Sequence, residues 1–174
     1  MARSSIPYAE SRLREQREAV LAARDARHAA LLRHLGADAA VLAVSLAIPG
    51  AVKAPPGALA LFAWALREVE LAVRGARLLQ ASGDALGPFA LLAAPGAPAE
   101  VKARCLAIEA SRPAARLLDL DVYSPDGGSC DRASLDLPPR TCLVCDRAAH
   151  ECSRAGRHAP AEVVARAREL LATA

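Results

Sequence analysis

The sequence predicts an α+β fold: a small mixed β-sheet packed with helices, plus an irregular Cys- and His-rich segment. Three observations point there. Short apolar runs bounded by Pro and Gly, "AVLAVSLAI" at 40–48 and "PFALLAAP" at 88–95, alternate with longer helical stretches. The stretch "LLDLDVYSPDGG" at 117–128 alternates apolar and acidic residues and stops at a turn, as a strand with one buried face does. Residues 138–158 follow no apolar period yet hold three cysteines and two histidines. A chain of 174 residues is most simply one domain, 1–174, long enough to bury a core.

The elements follow in order. Residues 8–35 are charged and free of Gly and Pro, with Leu13, Val20, Leu21, Leu31, Leu32 and Leu35 as a loose stripe. They predict one long helix, or two with a break near Arg24 and Asp25. The apolar run 40–48 ends at Pro49 and Gly50 and reads as a buried strand. After "PPG", residues 58–80 predict a helix with Phe62, Leu66, Val69 and Val73 on one side, broken by "SGDALG". A second strand covers 88–95; Pro98 opens a helix that Pro113 stops. The third strand is 117–122, Asp126 and Gly127 favour a hairpin turn, and a weak fourth strand follows near 129–133. After the irregular segment, Pro160 opens a helix over 160–173, striped by Val163, Val164, Ala167, Leu170 and Leu171.

Apolar residues make up 53% of the chain and aromatics only 3%, so Ala, Leu and Val must build the core. Twenty-two basic against 19 acidic residues give a net charge of +3, too little to name a partner by itself. The opening "MARSSIPYAESRLREQREAV" has no apolar h-region of a secretory signal. "AAVLAVSLAI" and "ALALFAWAL" fall short of the roughly 20 residues that cross a bilayer. A cytoplasmic, reducing location is expected, with no membrane partner. There, five cysteines favour metal binding or free thiols over disulfides.

Successive strand side chains point to opposite faces, so Asp119 and Asp121 share one face and Leu118, Leu120 and Val122 the other. The strand rise sets the two carboxylates roughly 6–7 Å apart. Such a pair is a wet edge-strand face or a Mg²⁺ site that handles phosphates, since one or two carboxylates plus substrate oxygens hold that ion. "CLVCDRAAHECSRAGRH" spaces Cys142, Cys145, Cys152 and His158 as a full tetrahedral set for a structural Zn²⁺, with His150 competing as fourth ligand. Cys105 reads as core, and Cys130 has no assigned role. Arg132, Arg140, Arg147, Arg154 and Arg157 lie in or near the same segment and suit bidentate phosphate recognition, or a solvated cationic surface. "IPGAVK" delivers Lys53 just past the first strand, where ligand groups sit on loops, or where a surface turn carries a Lys incidentally. Arg24, Asp25, Arg27 and His28 share one helical turn, and a solvated face accounts for them.

Taken together, "RDAR" at 24–27, "IPGAVK" at 48–53, "RLLDLDV" at 116–122 and "LPPRTCLVCDRAAHECSRAGRH" at 137–158 resemble, in order, the holo-citrate lyase synthase family. These are apo-citrate lyase phosphoribosyl-dephospho-CoA transferases. The resemblance implies a nucleotidyltransferase. It would join the phosphoribosyl-dephospho-CoA part of triphosphoribosyl-dephospho-CoA to a serine of the apo acyl-carrier (gamma) subunit of citrate lyase, releasing pyrophosphate. It implies Asp119 and Asp121 as Mg²⁺ ligands and Lys53, Arg24 and Arg27 as phosphate clamps, with Arg132 and Arg140 as weaker candidates. Glu109 would be a third carboxylate or the base for the serine proton. Two features depart from the pattern. Ala115 stands where the family usually has Gly, and the Gly-Ser signature of polymerase-β-like transferases is missing. The rival readings are a zinc-pinned RNA-binding module, a non-enzymatic carrier-docking factor, and the same chemistry on a malonate decarboxylase carrier. RNA modules stack bases on aromatics, and the Cys segment has none, so no nucleic-acid partner is expected.

Overall fold

The computed structural model describes residues 6–36 and 39–174. Residues 1–5, part of the stretch read above as lacking a leader, lie outside the described residues. The chain runs α1 (Ile6–His34), β1 (Ala40–Leu46), α2 (Ala58–Ala72), β2 (Arg77–Asp84), β3 (Gly87–Ala94), α3 (Pro98–Ala110), β4 (Leu118–Tyr123), β5 (Ser129–Cys130), α4 (Ala149–Arg154) and α5 (Pro160–Leu171). Short 3₁₀ turns cover Pro113–Leu117 and Ala133–Leu135.

The five strands form one sheet in the order β2-β3-β1-β4-β5. The α+β class stands, but all pairings are antiparallel rather than mixed. The reason is one strand that sequence patterning did not reveal. A strand, a helix and a second strand in direct succession make a parallel crossover. Here β2 intervenes after α2 and turns through Ala85 and Leu86 into β3, which therefore runs against β1. The helix expected over 58–80 stops at Ala72, and Gly75 follows in a left-handed conformation at φ 81°. Residues 77–80 belong to β2 instead. The helix α1 runs unbroken through Arg24 and Asp25. The weak fourth strand is only two residues long, and the irregular segment contains α4 and a bridge between Thr141 and Ala148.

The sheet has two unlike faces. On one, Leu42, Val44 and Leu46 of β1, Leu92 of β3, and Leu118, Leu120 and Val122 of β4 pack against α2, α3 and α5. Each fully buried Leu contributes about 1.5–3 kcal/mol relative to exposure. Close packing is visible at Gly57, which caps α2 at φ 87°. A Cβ there would lie 2.8 Å from the carbonyl oxygen of Leu171, at the end of α5. The other face carries a smaller cluster in which Ala30 and Leu31 of α1 cover Val41, Phe89 and Leu91. Beside that cluster the same face is polar, and there β4 displays its carboxylates.

Candidate functional site at the acidic face of the sheet

The alternation of β4 places Leu118, Leu120 and Val122 in the core and leaves Asp119, Asp121 and Tyr123 half-buried opposite. In the antiparallel register Asp119 faces Ser45 and Asp121 faces Ala43, both on β1. Small neighbours leave open room above the carboxylates. Because β5 is so short, the outer edge of β4 at Leu118 and Leu120 has no strand partner. Side chains take its place. The Leu120 N–H donates to Glu109 Oε1 at 3.1 Å, Lys102 Nζ donates to Leu120 C=O at 2.6 Å, and Arg140 Nη1 donates to Leu118 C=O at 2.9 Å. Arg140 also pairs with Glu109 at 2.8 Å, and its Nη2 lies 4.0 Å from Asp119.

This arrangement decides what each carboxyl can do. Both oxygens of Glu109 are engaged and the side chain is 6% exposed, so it braces β4. Asp121 has no such partner among the described residues. Burial first, and then the neighbouring Asp119 charge, push its carboxyl up to about 6. Burial and the two aspartates also raise the Tyr123 hydroxyl. A pair that repels itself in this way gains from a cation between its members.

Above Asp121 and Tyr123 lies a cavity of about 230 Å³, roofed by Arg24, Arg27 and His28 of α1 and walled by Leu86 and Phe89 of the β2–β3 hairpin. Arg27 is committed to holding that hairpin. It makes a bidentate pair with Asp84 at 2.8 and 2.7 Å, donates to Gly87 C=O at 2.8 Å, and stacks on Phe89 at 4.5 Å. Burial opposes ionisation of Asp84, but the bonds from Arg27 and the Leu86 N–H outweigh it and hold its carboxyl low. Arg24 is exposed and makes no such bond among the described residues. Lys53 donates to Ile48 C=O at 2.7 Å, and burial followed by the nearby Arg24 charge lowers its ammonium. Gly87, at φ 96°, lets the Lys53 backbone come close: a Cβ there would sit 2.7 Å from its carbonyl oxygen. The hairpin and α1 therefore meet over the acidic face, where Arg24 lines the cavity, and the turn after β1 sets Lys53 near Arg24.

The Cys-rich segment folds into a knot at the other side of Arg140. The thiols of Cys142, Cys145 and Cys152 and one ring nitrogen of His158 all lie within 4.8 Å of one another. Cys145 Sγ is 3.5 Å from Cys152 Sγ and 3.3 Å from His158 Nε2, while His158 Nδ1 faces Glu162 at 3.6 Å. An outer carboxylate on the second ring nitrogen is the arrangement that orients a metal-bound imidazole. Three soft thiolates and an imidazole in a compact tetrahedral-sized group fit a metal such as zinc. His150 is exposed on α4 and outside the group. Arg116 ties the knot to the sheet by donating to Cys142 C=O at 2.6 Å.

Of the residues singled out from sequence, the fold gathers Asp121, Arg24 and Arg27 around one cavity, with Lys53 beside Arg24. Arg140 and Asp119 meet at the sheet edge. Arg132 stands apart, donating through Nε to Pro138 C=O at 2.8 Å. Ala115 is fully buried in the core, away from the acidic face. Tyr123 lines the cavity although its sequence context did not mark it, and so does His28, expected above on a solvated face. Lys102 and Glu109 were legible as a signal: they recur seven residues apart on the stripe of α3 that also holds Val101, Cys105 and Ile108, a charged pair at core positions.

Fold and site define a class: an antiparallel α+β domain with a Cys/His cluster able to hold a metal and a β4 carboxylate pair whose Asp121 faces a cavity lined by Arg24 and Arg27. A model of the family described as apo-citrate lyase phosphoribosyl-dephospho-CoA transferase matches residues 15–174, and the chain belongs to that family. A Citrobacter koseri protein of that name is 35% identical over 91 residues, 52% of this chain and 50% of the relative. Proteins of the same name from Escherichia coli O139:H28 and O8 are each 34% identical over 88 residues, 51% of this chain and 48% of theirs. The chain spans about half the length of the curated relatives it matches. No helix among the described residues is long and apolar enough to cross a membrane.

Proposed function

We propose that this protein transfers the phosphoribosyl-dephospho-CoA group from triphosphoribosyl-dephospho-CoA to a serine of the apo acyl-carrier subunit of citrate lyase. The single observation that carries this reading is Asp121, beside Asp119 on β4, sharing a cavity with Arg24 and Arg27 in a chain of that family. The serine oxygen bonds to the phosphorus next to the ribose and loses its proton. The bond to the next phosphate breaks and pyrophosphate leaves. The nucleophile comes from the carrier, so this chain needs no reactive Ser or Cys of its own.

Asp119 and Asp121 would hold Mg²⁺: their oxygens are hard donors, and burial and the Asp119 charge raise the Asp121 carboxyl despite the nearby Lys102 and Arg140, so a further cation there is favoured. When bound, such an ion neutralises charge on the triphosphate and on departing pyrophosphate. Arg24 and Lys53 hold phosphate oxygens of the donor. Arg27 holds the hairpin, and through it the loop of Lys53, in place. Arg140 keeps β4 in register while lending positive charge to Asp119. Zinc in the Cys142, Cys145, Cys152 and His158 group would pin the loop that carries Arg140. The chemistry fits a reducing cytoplasm.

The test is mass spectrometry of the apo-carrier after incubation with this protein, Mg²⁺ and the triphosphoribosyl donor. A gain equal to the phosphoribosyl-dephospho-CoA group on the citrate lyase carrier supports the reading. A gain only on a malonate decarboxylase carrier reassigns the acceptor, and no gain on either overturns the function.

A further inference from the structure

A second cavity lies away from the one above the carboxylates. It measures about 730 Å³ and opens at the free edge of β4, on the α3 side. Four guanidinium groups line it, those of Arg112, Arg116, Arg132 and Arg140, against the single carboxylate of Glu109. Three of the four are anchored by backbone carbonyls: Arg116 by Cys142, Arg132 by Pro138, Arg140 by Leu118. The fourth is not. Arg112 stacks on Trp64 at 3.6 Å, and its Nε and Nη2 are buried with no hydrogen-bond partner among the described residues. A buried charged donor without an acceptor is costly, and Arg112 lines the cavity beside the other three guanidinium groups.

Leu106, Leu143, Pro138 and Pro139 give the cavity an apolar wall, with Ser111 and Thr141 as its other polar residues. A ligand that suits it carries a compact, multiply charged anion on a flexible, mostly apolar arm. Anchored, pre-oriented guanidinium groups match the paired oxygens of a diphosphate. Arg140 stands between this cavity and the acidic pair, lining the one and lying 4.0 Å from Asp119 in the other. A single molecule can thus occupy both.

We propose that the arginine-lined cavity is the subsite for the dephospho-CoA portion of the donor. Its diphosphate meets Arg112 and Arg132, and its pantetheine arm lies along the apolar wall. This rests on the proposed transfer reaction for the identity of the ligand, while the reacting triphosphate lies at the other site, beside Asp119 and Asp121.

The test uses dephospho-CoA alone, without Mg²⁺, carrier or the triphosphoribosyl group. Trp64 is the chain's one tryptophan and stacks on Arg112, so its fluorescence reports on the subsite. Dephospho-CoA should shift Trp64 emission saturably and bind more tightly than inorganic pyrophosphate. Arg112→Gln should weaken it about ten- to a hundredfold, the loss of a charged contact. Since Arg112 packs on Trp64, a second variant guards against misfolding. Ala149→Glu puts a carboxylate into the cavity at the first turn of α4, where helices accept one. It should weaken binding at least as much, while Glu70→Gln, on the exposed side of α2, leaves it unchanged. Absence of binding to the parent, equal binding of pyrophosphate, or parent-like affinity in the Ala149→Glu protein overturns the subsite. If dephospho-CoA binds as described but no carrier gains mass, the transfer reaction falls and the subsite stands.

Discussion

Glu109 separates a bracing role from a catalytic one more sharply than any other residue. Replacing it with Ala removes two contacts at once: the acceptor for the buried Leu120 N–H at 3.1 Å and the partner of Arg140 at 2.8 Å. An unsatisfied buried N–H costs about 1–3 kcal/mol. Losing a buried ion-pair partner costs about 3–5 kcal/mol when the survivor stays buried. Arg140 is 35% exposed and regains water, so its share is well below that range. Together these give a destabilisation of about 3 kcal/mol for Glu109→Ala. For a chain of this size that lowers Tm by about 6–12 °C. Glu109→Gln keeps the acceptor for Leu120 and loses only the charge, so it should cost about 1 kcal/mol and retain most transfer activity. Urea unfolding of parent and both variants, at matched zinc, measures the stabilities, and carrier mass measures transfer. A Glu109→Gln protein as stable as the parent but unable to transfer would refute the bracing assignment and restore Glu109 as the base.

Three further outcomes follow from the geometry. Carefully purified protein should contain one zinc per chain by elemental analysis; Cys152→Ser and His158→Ala should lose it and loosen residues 138–158, whereas His150→Ala should not. Lys53→Ala should slow transfer or weaken donor binding by about 1.5–3 kcal/mol, the worth of a charged hydrogen bond to phosphate, and unchanged kinetics would return Lys53 to an incidental surface turn. Asp121 ionises in the folded state only near pH 6, above the ordinary 3.8, so the native state binds more protons than the unfolded one between these values. Without divalent cation its contribution to stability is therefore greatest below about pH 4 and is lost as pH rises through about 6, by up to about 2–3 kcal/mol. Burial, and after it the facing charges of Asp119, Lys102, Glu109 and Arg140, set that value, and Asp121→Asn should remove this contribution in urea unfolding at pH 4.5 against pH 8.

The strongest local patterns were the most legible. The alternation of residues 117–122 gave both the strand and the shared face of Asp119 and Asp121, because a period of two admits no other partition. The Cys and His spacing gave the knot, although only the fold distinguishes His158 from His150. What sequence patterning missed was β2. Arg77–Asp84 is an edge strand, largely exposed, carrying Gly83, Ser82 and Asp84, so it has neither alternation nor a buried run to announce it. Its omission propagated, since without it β1 and β3 appear joined by a crossover and the sheet appears mixed. The cavity residues His28 and Tyr123 were illegible for a different reason. Their roles arise where α1 crosses the sheet, a contact between segments about 95 residues apart that no local pattern encodes.

The central claim is that the acidic pair of β4 is where transfer occurs, and substitution of the pair tests it most directly. Asp119→Asn and Asp121→Asn keep shape and remove charge, and both side chains lie outside the buried core. Both variants should fold and dock the apo-carrier, yet load it with the prosthetic group at least roughly 100-fold more slowly, or require far more Mg²⁺. Folded variants that load the carrier at the parent rate, with the parent's Mg²⁺ dependence, would contradict the account.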